Sequence, residues 1–114
     1  MSLTTTMTDD AQIVKVNADR IDAAMAIQFK EDMRSETESG PERVILDLSQ
    51  VQFIDSSGLG AIVAAMKQLD GSRRLDLAGL TPMVEKVFRL TRMDTVFNLY
   101  GSISEATSPA RANT

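Results

Sequence analysis

Asp55-Ser56-Ser57-Gly58 is the stretch whose residue types could do chemistry. Two adjacent hydroxyls stand between a carboxylate and a glycine. A hydroxyl at a helix start can cap that helix. It can also carry a phosphate, because free backbone N–H groups and the helix dipole favour an anion there. A phosphate on Ser56 would bring about two negative charges to the helix start at neutral pH. The fold could hold that group. A partner docked over the same turn would meet repulsion and desolvation beside Asp55. This is the physics of an on/off binding switch. Gly58 and Gly60 fall just inside the same helix, where glycine costs up to about 1 kcal/mol relative to alanine. Two such costs point to a close approach there, by another backbone or by a partner.

Catalytic readings of the same residues fail. The chain contains no histidine and no cysteine. A Ser-His-Asp hydrolase within it is excluded, as is a zinc site built from His or Cys. A G-x-S-x-G nucleophile turn needs a glycine two residues before the serine, where Ile54 or Asp55 stands. A phosphate-cradling loop ends in Gly-Lys-Ser/Thr, whereas Gly58-Leu59-Gly60 leads to Ala61-Ile62. An aspartyl-phosphate receiver would use Asp9-Asp10 as its acidic pair and Asp55 as acceptor. That pair precedes the convincing strand instead of following it. Lys86, the last lysine, falls on a helix, so no Lys lies near the last strand. Asp9-Asp10 reads better as a hairpin turn. No cofactor or metal site is expected.

The 114 residues suit one domain over residues 1–107 and a polar tail over 108–114. The net charge of −4 argues against non-specific nucleic-acid binding and against an anionic membrane surface as partner. No apolar stretch approaches a membrane-spanning length, and the start lacks the pattern of a signal peptide. The expected compartment is the cytoplasm.

The elements that must position the hydroxyls can be read in order. Leu3–Met7 and Gln12–Ala18 suggest an opening hairpin. Asp22 is placed to cap a helix running to about Glu38, with Ala23, Ala26, Phe29 and Met33 as its core stripe. Ser39-Gly40-Pro41 is expected to end that helix. Val44-Ile45-Leu46 is an apolar run suited to a strand covered on both faces. The helix after it places Leu59, Ile62, Val63, Met66 and Leu69 on one stripe. Arg74–Ala78 is a fourth strand. Thr81-Pro82 starts a third helix with Val84, Val87, Phe88 and Leu90 as apolar positions. Val96–Tyr100 reads as a last strand, and Ser102 with Glu105 has the spacing of a capping box for a fourth helix. Strands alternating with helices give an α/β fold with a mostly parallel sheet of about five strands.

The stretch Val44 to Gly60, Val-Ile-Leu-Asp-Leu-Ser-Gln-Val-Gln-Phe-Ile-Asp-Ser-Ser-Gly-Leu-Gly, resembles the signature of the STAS domain. That family is named for sulphate transporters and anti-sigma-factor antagonists. Val87 to Phe97 is similar to the family's closing segment, and the element order matches over roughly residues 3 to 107. Stand-alone bacterial antagonists are the nearest type. The resemblance implies a protein that binds an anti-sigma factor which is also a serine kinase, and so releases a sigma factor. It implies that the kinase phosphorylates the serine after the Asp, here Ser56, with Ser57 as second choice, and that the antagonist then lets go. A metal-dependent serine phosphatase reverses the step. ATP and Mg belong to the kinase, so the chain itself is expected to be a binder and a substrate, not an enzyme. Asp22 falls where the family has an acidic residue, although Ala18 replaces the family's glycine. The partner-binding residues implied are Asp22, Asp55, Ser56, Ser57, Gly58, Leu59 and Gly60. The alternative is a constitutive STAS subunit of a larger assembly, such as a lipid-transport complex or a signalling scaffold. A receiver-type phosphotransfer domain is the third reading.

Overall fold

The computed structural model describes residues 2–107. The expected polar tail, 108–114, lies outside the described residues. In chain order the elements are β1 (Leu3–Met7), β2 (Ala11–Val16), β3 (Arg20–Ile21), α1 (Ala23–Glu36), β4 (Arg43–Asp47), β5 (Phe53–Ile54), α2 (Ser56–Gln68), β6 (Arg74–Ala78), α3 (Pro82–Leu90), β7 (Leu99–Tyr100) and α4 (Ile103–Thr107). A 3-10 turn, Met93–Thr95, precedes β7.

Val44, Ile45 and Leu46 have no exposed surface, which places β4 at the centre of a five-stranded sheet. The strand order is β1-β2-β4-β6-β7. β1 pairs antiparallel with β2, and the other neighbours are parallel. The sheet is therefore mixed, the opening hairpin supplying its antiparallel edge. Alternation along each strand sends Val14, Val16, Leu46 and Leu77 to one face. There they pack with Phe29 and Met33 of α1, Ala61 and Ile62 of α2, and Phe88 of α3. Ala11, Ile45 and Ala78 face the other way, where Ala106 of α4 joins them. Arg43 pins α4 on that side. It donates to Asp76 Oδ2 at 2.7 Å and to the Ala106 carbonyl at 2.6 Å, over the Tyr100 ring.

The short β3 and β5 pair with each other in a separate parallel ribbon, Arg20 beside Phe53 and Ile21 beside Ile54. Two-residue strands carry no periodicity, so the pattern alone leaves this ribbon as connection.

Several expected boundaries move, each for a local reason. α1 ends at Glu36, before Gly40. The Thr37 N–H and hydroxyl both reach the Met33 carbonyl, and Arg73 and Gln12 donate to the Thr37 and Glu36 carbonyls. The end of α1 is thus satisfied by side chains from β2 and the β6 approach rather than by a glycine stop. Ala23 is exposed, so its stripe begins at Ala26. On α2 the buried line is Gly58, Ala61, Ile62 and Ala65, with Leu59, Val63, Met66 and Leu69 flanking it. Small residues lead because α1 and β3 approach closely. Thr81 stands at the N-cap of α3 but gives its hydroxyl to the Val51 carbonyl at 2.7 Å. Leu90 is exposed, lying off the Val84–Phe88 face. The expected strand from Val96 shrinks to Leu99–Tyr100. The 3-10 turn draws Val96 and Phe97 N–H to the Met93 carbonyl and seats Phe97 against Phe88, ring centroids 6.0 Å apart. In the turn after α2, the Ser72 hydroxyl and then its N–H hold the exposed Asp70 carboxyl below the ordinary carboxylate range.

Candidate functional site

Asp55, not a serine, is the N-cap of α2. Its backbone is extended and its Oδ1 accepts the Gly58 N–H at 2.8 Å. Ser56 and Ser57 occupy the first two helical positions and are exposed. Neither hydroxyl has a hydrogen-bond partner among the described residues. Capping thus falls to Asp55 rather than to a serine, which leaves both hydroxyls to solvent. Asp55 Oδ2 meanwhile accepts the Ala23 N–H at 3.1 Å, so the start of α1 lies at the same corner.

The two glycines play different parts. Gly58 is buried, and a Cβ built on it would lie 2.0 Å from the Ile21 carbonyl oxygen and 2.9 Å from Ile54 Cγ1. Its close approach is to the β3–β5 ribbon, inside the protein. Gly60 is exposed, with nothing among the described residues within 4 Å of a Cβ. Gly60→Ala is accordingly expected to raise the stability of the free chain by about 1 kcal/mol, read from a urea titration. Weakened partner binding by the same variant would mark Gly60 as a docking position.

Asp22 shares the corner without capping α1. Its Oδ1 is buried with no hydrogen-bond partner among the described residues, and its Oδ2 stands 3.9 Å from Arg20 Nη1. Leu59 is half-buried against the core. The structure thus gathers Asp22, Asp55, Ser56 and Ser57 at one corner, with Gly58 beneath and Leu59 and Gly60 following on α2. The sequence pattern assigns Ala23 to the core stripe of α1 and gives no hint of its part at this corner, which is a backbone N–H. Ile27 and Phe53 also escape it. Ile27 is 72% exposed on α1 and Phe53 is 39% exposed on β5, under the Arg20 guanidinium. The signal available for Ile27 was its place off the Ala26–Phe29–Met33 stripe.

Asp9 and Asp10 are exposed in the β1–β2 turn, at the N-terminal end of β2. Parallel pairing sets Ala11 beside Arg43, the start of β4, whereas Asp55 follows the far end of β4. Asp55 and the acidic pair therefore stand at opposite ends of the parallel strands and form no common site. No helix among the described residues is long and apolar enough to cross a membrane.

The model of one protein family, described as the STAS domain, matches residues 2–106. BtrV of Bordetella bronchiseptica, a proposed anti-sigma factor antagonist, is 30% identical over 83 residues, 72% of each chain. The crystal structure of an anti-sigma factor antagonist from Mycobacterium paratuberculosis superposes with a TM-score of 0.84 at 24% identity, covering 96% of this chain and 93% of that one. The Bacillus cell-fate determinant SpoIIAA has been solved in both forms. The unphosphorylated form gives a TM-score of 0.72 at 20% identity, covering 97% of each chain. The phosphorylated form gives 0.67 at 19% identity, covering 96% of this chain and 100% of that one.

Proposed function

Because this chain belongs to the STAS domain family, we propose that it is an anti-sigma-factor antagonist switched by phosphorylation of Ser56. In the unmodified state it binds an anti-sigma factor that is also a serine kinase, and a sigma factor is released. The kinase phosphorylates Ser56, the complex parts, and a metal-dependent serine phosphatase restores binding. The chain is a cytoplasmic binder and substrate, and the transfer chemistry belongs to the kinase.

The observation that carries this reading is the state of Ser56: an exposed hydroxyl at the first position of α2, without a hydrogen-bond partner among the described residues, beside a carboxylate already occupied as the cap. Such a hydroxyl contributes little to the fold and is free to be modified. A phosphate there is stabilised by the helix start, so the domain need not unfold to carry it. Its effect falls on whatever docks over the corner, where Ile27 and Phe53 offer apolar contact. The phosphorylated form of SpoIIAA is a precedent for a fold of this kind carrying a phosphate.

The test is incubation with ATP and the serine kinases of the same genome, the phosphate being mapped by mass spectrometry. The expected result is a single acid-stable phosphate on Ser56, absent from Ser56→Ala. An acid-labile phosphate on Asp55 would favour the receiver reading. No phosphate at all, with normal partner binding by Ser56→Asp, would favour the constitutive subunit.

A further inference from the structure

Asp55 serves two helices at once. Oδ1 accepts from Gly58 in its own helix, and Oδ2 accepts from Ala23, the first residue of α1 and 32 positions away. The second bond is not one the chain had to make. Asp22, at the N-cap position of α1, has the extended backbone of a cap but makes no side-chain cap bond. α1 therefore borrows its cap from the start of α2. The ribbon makes this possible: Ile21 lies beside Ile54, and Gly58 lets α2 begin against the Ile21 carbonyl.

Resting on the reading of Ser56 as the phosphorylated residue, we infer that Asp55 is the positioning residue of that site and acts through the Ala23 N–H. One carboxylate holds the starts of α1 and α2 together, with Ser56 at their junction. A kinase that docks on both starts meets one pre-formed surface. Once the starts part, docking weakens while the hydroxyl and its chemistry are unaltered. Asp55 touches neither phosphoryl donor nor phosphate in this scheme.

Two variants isolate the bond. Asp55→Asn keeps the size and one acceptor for Gly58, but it turns an amide N–H toward the Ala23 N–H, donor against donor. Ala23→Pro removes the donor and leaves Asp55 intact. Proline suits the first helical position, and Asp22 at φ −119°, ψ −174° already has the extended backbone that precedes proline. With ATP and the serine kinases of the same genome as the probe, each variant is expected to raise the KM for this chain by about tenfold, the worth of one charge-assisted hydrogen bond. The kcat is expected to stay within about twofold, the sign of lost docking rather than lost chemistry. The double variant is expected to be no worse than either single one, because both remove the same bond. Amide exchange at Ala23 should quicken in Asp55→Asn while Gly58 stays protected. A purely structural role would lower the melting temperature and leave KM alone. Wild-type KM in either variant, or penalties that add in the double variant, overturns the inference while the phosphorylation reading stands. A wild-type chain that no such kinase modifies overturns both.

Discussion

Gly58→Ala is expected to destabilise the chain by at least about 3 kcal/mol, the upper range for overpacking a closed interior. The added Cβ would lie 2.0 Å from the Ile21 carbonyl oxygen and 2.8 Å from its carbon, where real Cβ contacts stay above 3.0 Å. Both atoms are backbone, so no rotamer change relieves the clash. Relief requires α2 to slide from the β3–β5 ribbon, which would also pull Asp55 from Ala23. A domain of this size has only about 5–15 kcal/mol in total. The urea midpoint measures the loss, with Gly60→Ala as the control in open space. An unchanged midpoint for Gly58→Ala would mean that α2 does not start against Ile21.

Ser56→Asp is expected to weaken binding of the anti-sigma partner by about a hundredfold or more. Like charges brought together in an interface cost several kcal/mol, and about 2.7 kcal/mol already corresponds to a hundredfold. The new carboxylate stands next to Asp55, whose own charge is engaged by two N–H groups and cannot turn away without uncapping a helix. The fold should not suffer, since an acidic residue at the first helical position complements the dipole. A melting temperature at or above the wild-type value, together with lost binding measured by calorimetry, separates a blocked surface from a damaged one. Ser56→Ala is expected to bind as the wild type does.

Much of this was legible in the residues. Val44-Ile45-Leu46 announces a doubly covered strand because apolar side chains point to both faces, and it occupies the sheet centre. Asp55-Ser56-Ser57-Gly58 marks a helix start, and α2 begins at Ser56. What the pattern could not show is contact between residues distant in sequence. The Asp55–Ala23 bond joins elements 32 positions apart, and nothing in a local window announces it. The two glycines look alike in sequence, yet one lies under Ile21 and the other faces solvent. Thr81 has the right type for a cap, but the Val51 carbonyl competes for its hydroxyl and wins. The helix boundary at Glu36 depends likewise on Arg73, from the approach to β6, and on Gln12, from β2.

The central claim is that one phosphate on Ser56 decides whether the corner is open to a partner. Titrating the anti-sigma kinase, with a non-hydrolysable ATP analogue, into the unmodified and the Ser56-phosphorylated chain tests it directly. The account predicts tight binding to the first and, for the second, an affinity at least about a hundredfold lower, with the same folded spectrum. Equal affinities for the two forms would contradict it.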